Sequence, residues 1–189
     1  TTVTLDSGAG GVNISGELIQ GATATEHGAG AVATSFAPIT RRYTQNGVII
    51  TKIHFDLTGL GAKGDAADDV IGLPTGGAAA FIGRYVTSSY GIVYRAELAC
   101  LEVPAGSNGA TADVDIATNT AANLAYDGAG GGTKLINTGG AIAGKQFVNQ
   151  APSLTANDYF YIVEGDTASA DSVYTAGQFV LTLYGHALA

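Results

Sequence analysis

The residues that could serve as nucleophile, base or metal ligand are scattered along this chain. His27, His54 and His186 are far apart in sequence, and no G-x-S-x-G motif presents a serine nucleophile. No His-x-x-x-His spacing and no second cysteine offers a transition-metal site. Because no catalytic set is assembled by sequence, we expect a protein that is not an enzyme.

Two glycine-rich segments match nucleotide-binding loops by spacing alone. Residues 139–146, GGAIAGKQ, match G-x-x-x-x-G-K, but Gln146 stands where a Ser or Thr hydroxyl would reach Mg²⁺ and no helical pattern follows. Residues 28–33, GAGAVA, match the dinucleotide fingerprint without the strand and helix that must surround it. We therefore expect no cofactor.

The carboxylates are the more suggestive polar groups. Asp65, Asp68 and Asp69 share one loop, and Asp113 and Asp115 share one face of a predicted strand. Carboxylate oxygens bind hard cations such as Ca²⁺. Neither spacing matches the calcium loop D-x-[DN]-x-[DN]-G, and a solvated acidic surface is the favoured reading. We expect no metal site, while calcium binding by the first three carboxylates stays an open alternative.

The charge balance argues against two classes of partner. Charged residues make up 13% of the chain, about half of the ~25% that is usual, and the net charge is −8 with only eight Lys and Arg. A nucleic acid would find no basic stripe to neutralise its phosphates. No apolar run approaches the ~18 residues that span a bilayer. We expect neither nucleic acid nor membrane as a partner.

The clearest local structure is a hairpin. SFAPITRRYTQ and VIITKIHFDL flank Asn46-Gly47, and Asn-Gly supplies the two positive φ angles that a type I′ turn requires. Alternation in the second strand predicts that the inward side chains are Ile49, Thr51, Ile53, Phe55 and Leu57.

Further short apolar stretches recur between clusters of Gly, Asn, Asp and Pro, and no segment of helical period separates them. The predicted strands are AAFIGRYV, GIVYRAELACLEV, ATADVDIAT, KLINTGGAIAGKQFV, DYFYIVEG and QFVLTLYGH. Strands joined by turns rather than helices predict an all-β fold. We expect an antiparallel β-sandwich of jelly-roll type, formed as a single domain by residues 35–189.

Two strands carry specific predictions about burial. VYRAELACL places Cys100 on one face with Tyr94, Ala96 and Leu98, which predicts a buried apolar cysteine. The closing strand QFVLTLYGH alternates regularly, with Phe179, Leu181 and Leu183 on its inward face. So regular a final strand must pair within a sheet, and we expect it to occupy an inner position.

Residues 1–34 form a Gly-, Ala- and Thr-rich extension. Its apolar residues are too sparse to offset an ordering cost of roughly 1–2 kcal/mol per residue within one subunit. We expect an arm that crosses to a neighbouring copy or shell; the alternative is an ordinary strand of the same sandwich. The predicted interface residues are Val3, Leu5, Val12, Ile14, Leu18, Ile19 and Tyr184.

Residues 110–120 (ATADVDIATNT) and 154–186 (LTANDYFYIVEGDTASADSVYTAGQFVLTLYGH) resemble virion structural proteins of tailed phages, particularly marine and cyanobacterial ones. FIGRYV and YGIVYRAELACLEVP fit the same scheme, so the resemblance extends from about residue 80 to the end. It implies a sandwich or jelly-roll subunit on the capsid surface of the virion. The implied function is to cement or decorate the head as a homotrimer bound to the major capsid protein. The resemblance carries no catalytic residue.

A carbohydrate-binding module of a tail or fibre is the alternative. Tyrosines predicted to face outward could stack on sugar rings. They are Tyr90, Tyr94, Tyr159, Tyr161 and Tyr184. Aromatics gathered in one concave surface beside carboxylates would favour this alternative, whereas aromatics buried between subunits would favour a cement protein.

Overall fold

The computed structural model of the chain describes residues 26–33, 37–64, 66–110, 112–130, 132–139, 144–166 and 171–187. The predicted arm residues Val3, Leu5, Val12, Ile14, Leu18 and Ile19 lie outside these ranges, as does Asp65. The predictions made for those residues are therefore untested by the structure.

The described chain is almost entirely β-structure. Its strands are β1 (Ile39–Gln45), β2 (Val48–Asp56), β3 (Gly61–Ala62), β4 (Phe81–Arg84), β5 (Ile92–Gly106), β6 (Val114–Asn119), β7 (Thr133–Ile136), β8 (Gln146–Asn149), β9 (Tyr159–Glu164) and β10 (Ser172–His186). One helical turn, α1 (Thr87–Tyr90), and the 3₁₀ turns Ala29–Ala31 and Ser107–Gly109 complete the elements. Within these described ranges, no helix has the length and apolarity to cross a membrane.

The strands form two antiparallel sheets. The larger sheet has the order β1-β2-β10-β5-β8, with β3 pairing to β10, and the smaller sheet has the order β4-β9-β6-β7. The pairings are nested along the chain, because β2 pairs with β10, β4 with β9, β5 with β8 and β6 with β7. Side chains from both sheets belong to one core cluster, which is consistent with a β-sandwich.

The hairpin prediction is confirmed. Gln45 pairs with Val48, and Asn46 and Gly47 have φ angles of 50° and 78°, the two positive values of a type I′ turn. Of the side chains predicted to face inward, three on β2 and Leu57 directly after it are buried, and Ile49 is partly buried.

The closing strand is central, as its alternation predicts. β10 lies between β2 and β5, and Phe179, Leu181 and Leu183 are at most 1% exposed. The ring of Phe179 stacks on Phe55, with centroids 5.3 Å apart. Phe160 of the smaller sheet belongs to the same core cluster. Burying large side chains like these contributes roughly 1.5–3 kcal/mol each, so β10 is a main source of the fold's stability.

Two strand predictions need correction. Cys100 and Leu98 are buried as expected, but Tyr94 faces outward because a register shift opposite Tyr184 brings Val93 inward in its place. The segment KLINTGGAIAGKQFV is not one strand: β7 lies in the smaller sheet and β8 in the larger. A strand following directly at Gln146 also rules out the helix that a phosphate-binding loop needs.

Candidate functional site

The most distinctive surface of the molecule is the solvent-facing side of the larger sheet. Every large hydrophobic side chain recorded as exposed among the described residues belongs to a strand of this sheet, and none belongs to the smaller sheet. They are Ile39, Tyr43, Ile92, Tyr94, Leu101, Val103, Val148 and Val173. Exposed apolar side chains that are confined to one sheet indicate an interaction surface rather than random exposure.

Strand register shows how this surface is arranged. Three cross-strand rows define what we call the outer face. They are Ile39–His54–Val180–Ala99–Gln146, Arg41–Lys52–Thr182–Glu97–Val148 and Tyr43–Ile50–Tyr184–Arg95. Each row contains both apolar and polar side chains. The face is therefore mixed in character, as protein–protein interfaces are.

Glu97 organises the centre of the outer face. Its Oε2 accepts hydrogen bonds from the Tyr184 hydroxyl at 3.1 Å and from Gln146 Nε2 at 2.7 Å, while Arg95 forms an ion pair with Oε1. Burial raises the pKa of Tyr184, and the adjacent Glu97 carboxylate raises it further. Tyr184 is thus held as a neutral hydrogen-bond donor, and its ring is fixed in place on this face.

A groove of about 210 Å³ lies at the end of this face that carries Ile39 and Leu101. Ile39, His54, Leu101 and Gln178 contribute to its lining, and Leu101 is 61% exposed beside it. Leu101 lies where the β5–β10 register shifts, so the bulge projects this side chain from the sheet.

A second feature is a pocket of about 510 Å³ beside β1 and β4, the edge strands of the two sheets. Phe81 and Tyr159 form an edge-to-face pair in its wall with centroids 4.9 Å apart. The guanidinium carbon of Arg84 lies 5.4 Å from the Tyr159 ring centroid, and that of Arg42 lies 4.5 Å from the Tyr90 ring centroid. The pocket combines aromatic rings with two cations, each of which stacks on a tyrosine.

The remaining polar groups of the pocket are Glu26, His27 and Ser89. Burial lowers the pKa of His27, and the neighbouring Glu26 carboxylate opposes that shift. With His27 neutral at pH 7, the pocket carries two positive charges and one negative charge.

A third feature is an acidic cluster that contains a lysine. Lys134 Nζ lies 2.7 Å from Asp115 Oδ2 and 2.8 Å from Asp68 Oδ1, and it also contacts Asp166. Asp115 is fully buried. Burial lowers the pKa of Lys134, but hydrogen bonds to Asp115, Asp166 and Asp68 outweigh it and raise the pKa overall. Lys134 therefore stays charged among the three carboxylates.

Hydrogen bonds from Thr138 join the two carboxylates that the sequence places on one strand face. Its backbone N–H donates to Asp115 Oδ1 at 2.8 Å, and its hydroxyl lies 2.7 Å from Asp113 Oδ1. The ligand oxygens of Asp68, Asp115 and Asp166 fall within 4.8 Å of one another, as a cation site would require. Because the Lys134 ammonium lies among them, the arrangement is that of a structural ion-pair network.

The predictions for individual tyrosines are partly wrong. Tyr90 and Tyr161 are buried, at 4% and 0% exposure, rather than outward. Val70 and Ala80 cover Tyr161, and its hydroxyl donates to the Ala121 carbonyl at 2.6 Å. The five tyrosines do not form one cluster. Tyr90 and Tyr159 line the pocket, whereas Tyr94 and Tyr184 belong to the larger sheet.

Sequence reasoning missed the pocket. Its members come from β1, β4, α1, β9 and the connecting segments, among them Glu26 and His27, and the two arginines are separated by more than forty residues. No spacing rule connects them, because only the meeting of two sheet edges brings them together. No protein-family model, characterised protein or solved structure matches the chain.

Proposed function

We propose that the chain is a non-enzymatic virion structural protein, a cement or decoration protein that stabilises a phage head by bridging shell subunits. The observation that carries the proposal is the restriction of exposed large hydrophobic side chains, among the described residues, to the larger sheet. A surface of this kind favours docking against another protein.

The nested strand pairing supports a jelly roll. With β1 and β3 set aside, eight strands remain, and they pair first with last, second with seventh, third with sixth and fourth with fifth. Rolling up such a nested ribbon produces two four-stranded sheets linked as Greek keys. Viral capsid proteins and lectins both use this architecture.

The dimensions of the outer face suit a specific interface. Nine residues of β2 at ~3.3 Å each and four spacings of ~4.8 Å between five strands give a face of at most about 30 by 19 Å. That is roughly 570 Å², about 70% of the ~800 Å² that each partner buries in a typical specific complex. The outer face would therefore supply most of one partner's side of such an interface.

In this account the partners are the major capsid protein and further copies of the same chain, arranged as a homotrimer on the capsid surface. The three rows of the outer face carry Arg41, Lys52 and Arg95 against Glu97, and the adjoining row adds Asp56 and Glu102, so this side of the sheet is close to neutral, whereas the whole chain carries −8. Electrostatic repulsion from an acidic partner, including another copy, is therefore weakest at this face.

The direct test is co-sedimentation of the purified chain with heads of the encoding phage. Sedimentation velocity should also give three times the chain mass of 18.9 kDa. We expect Leu101→Glu and Val148→Glu to weaken head binding at least about 100-fold, since burying an unpaired carboxylate costs several kcal/mol. Both positions are exposed, at 61% and 44%, so the free protein should fold normally.

Thr133→Glu is the control. Thr133 is exposed and lies on β7 of the smaller sheet, so it is not part of the outer face. It should bind heads as the unmodified chain does. The proposal would be refuted if the protein were monomeric and failed to bind heads. It would also be refuted if all three variants bound heads equally well.

The N-terminal extension belongs to the same proposal. The predicted arm of residues 1–34 must be shortened, because Ala31 is buried in the subunit's own core and the backbone N–H groups of Gly28 and Gly30 donate to the carbonyls of Phe81 and Ala79. We expect residues 1–25 to contact a neighbouring copy or the shell through their sparse apolar side chains. A chain lacking residues 1–25 should then unfold like the full chain but bind heads more weakly. Undiminished assembly and binding would eliminate the arm as an adhesive element.

A further inference from the structure

The pocket beside β1 and β4 has the chemistry of a small-molecule site, and docking through the outer face does not use it. Its volume of about 510 Å³ falls in the ~300–1,000 Å³ range of ligand pockets. Aromatic side chains dominate one wall, and cationic and polar groups converge on the same space. Such convergence is the usual signature of a binding site.

The two arginines indicate an anionic group on the ligand. The chain has only eight Lys and Arg against sixteen Asp and Glu, yet Arg42 and Arg84 line this one pocket. Arg42 Nε donates to Thr51 Oγ1 at 3.2 Å and Arg84 Nη2 donates to Asn157 Oδ1 at 2.7 Å. These bonds and the tyrosine rings orient both guanidiniums before a ligand arrives, which lowers the entropy cost of binding.

The other residues favour a sugar over a simple inorganic anion. The partly exposed rings of Phe81 and Tyr159 offer apolar faces for the C–H side of a pyranose. Glu26 accepts hydrogen bonds from hydroxyl groups, and Ser89 both donates and accepts them. Phosphate would use neither the rings nor Glu26.

We propose that this pocket binds a sugar residue bearing a carboxylate, such as a uronic acid unit of an acidic polysaccharide. The guanidiniums of Arg42 and Arg84 hold the carboxylate, Tyr159 and Phe81 pack against the ring, and Glu26 accepts its hydroxyls. On a virion surface such a site would retain particles on acidic glycans. Sugar binding in this pocket does not depend on the proposed attachment to the head, because every residue that would contact the sugar belongs to the one chain.

The test is calorimetric titration of the full chain at pH 7 with three probes: methyl glucuronide, methyl glucoside and inorganic phosphate. Methyl glucuronide should bind at least about tenfold more tightly than methyl glucoside, since hydrogen bonds to charged groups are worth roughly 1.5–3 kcal/mol. Phosphate should not compete with it. Equal binding of the two glycosides, tighter binding of phosphate, or no binding of the glucuronide would each overturn the proposal.

Substitutions locate the site. Arg84→Gln should weaken glucuronide binding at least about tenfold, and Tyr159→Leu should weaken both glycosides. Arg95→Gln is the matched control, because Arg95 also stacks on a tyrosine, at 5.5 Å from the Tyr184 ring centroid, but lies on the outer face. Arg84 is exposed, so its variant should retain the unfolding temperature of the parent. Unchanged affinity in Arg84→Gln, or an equal loss in Arg95→Gln, would show that the sugar does not bind in this pocket.

Discussion

Replacing Lys134 with methionine removes the cation from the acidic cluster while keeping most of the side-chain volume. Asp115 is fully buried and lies 2.7 Å from the ammonium, so its charge loses its nearest compensation. Breaking a buried pair by removing one partner costs about 3–5 kcal/mol. The contact to Asp68, whose side chain is 41% exposed, adds no more than ~1 kcal/mol, and the contact to the exposed Asp166 adds little because solvent screens it. Since Asp115 keeps its hydrogen bond from the Thr138 backbone N–H, we expect the free energy of unfolding to fall by about 3 kcal/mol at pH 7.

The assay is urea unfolding followed by circular dichroism, with Lys63→Met as the control. Lys63 belongs to a looser surface pair, 3.8 Å from Asp171, and its replacement should cost at most ~1 kcal/mol. The hydrogen bond from Lys134 lowers the pKa of Asp166 below its ordinary value of 3.8. The stabilisation that this contact contributes is therefore present above pH 3.8 and is lost as the pH falls below it. The difference in free energy of unfolding between the parent protein and Lys134→Met should therefore become smaller at acidic pH. If Lys134→Met lowers the free energy of unfolding no more than Lys63→Met does, Lys134 does not stabilise the buried Asp115 carboxylate.

Three further predictions concern the fold. Gly47→Ala should lower the free energy of unfolding in urea by about 1 kcal/mol, because the φ angle of Gly47 is +78°. No atom lies within 4 Å of the added Cβ, so the cost comes from the backbone conformation. The control Gly76→Ala, at a position without a positive φ, should lower it by less than half as much. Cys100 is 8% exposed, so a thiol reagent should label it in urea but not in the native protein, and rapid native labelling would contradict its inward placement. Burial raises the pKa of Tyr161 from 10.0 to about 12, which means its contribution to stability is complete below pH 10 and is lost as the pH rises toward 12. Spectrophotometric titration should show a tyrosine that ionises only near pH 12 or on unfolding, and complete ionisation by pH 10.5 with the fold intact would contradict it.

The parts of the fold that the sequence predicts are those fixed by local chemistry. Asn46-Gly47 can satisfy two positive φ angles where most residues cannot, and the period-two alternation around Leu181 leaves one face to bury. The alternation in VYRAELACL places Tyr94 inward and is wrong there, because a register shift between β5 and β10 reverses its face; the outward placement expected for a sugar-stacking tyrosine is the one that the structure has.

The candidate sites depend on contacts between distant segments. Lys134 reaches Asp68 and Asp166 because β7 and the segments around those residues meet at one end of the smaller sheet. Arg42 and Arg84 line the same pocket for a similar reason, as each lies on an edge strand of a different sheet. The acidic residues can be recognised in the sequence, but only the tertiary structure places the Lys134 ammonium among them.

The most direct test of the proposed function is an electron cryomicroscopy reconstruction of the particle that contains this chain. The account predicts density for the two-sheet fold on the outside of the head, at symmetry-related positions, with the outer face around Tyr184 and Leu101 turned toward shell or neighbouring subunits. Absence of the chain from the head, or attachment through the smaller sheet with the outer face open to solvent, would contradict it.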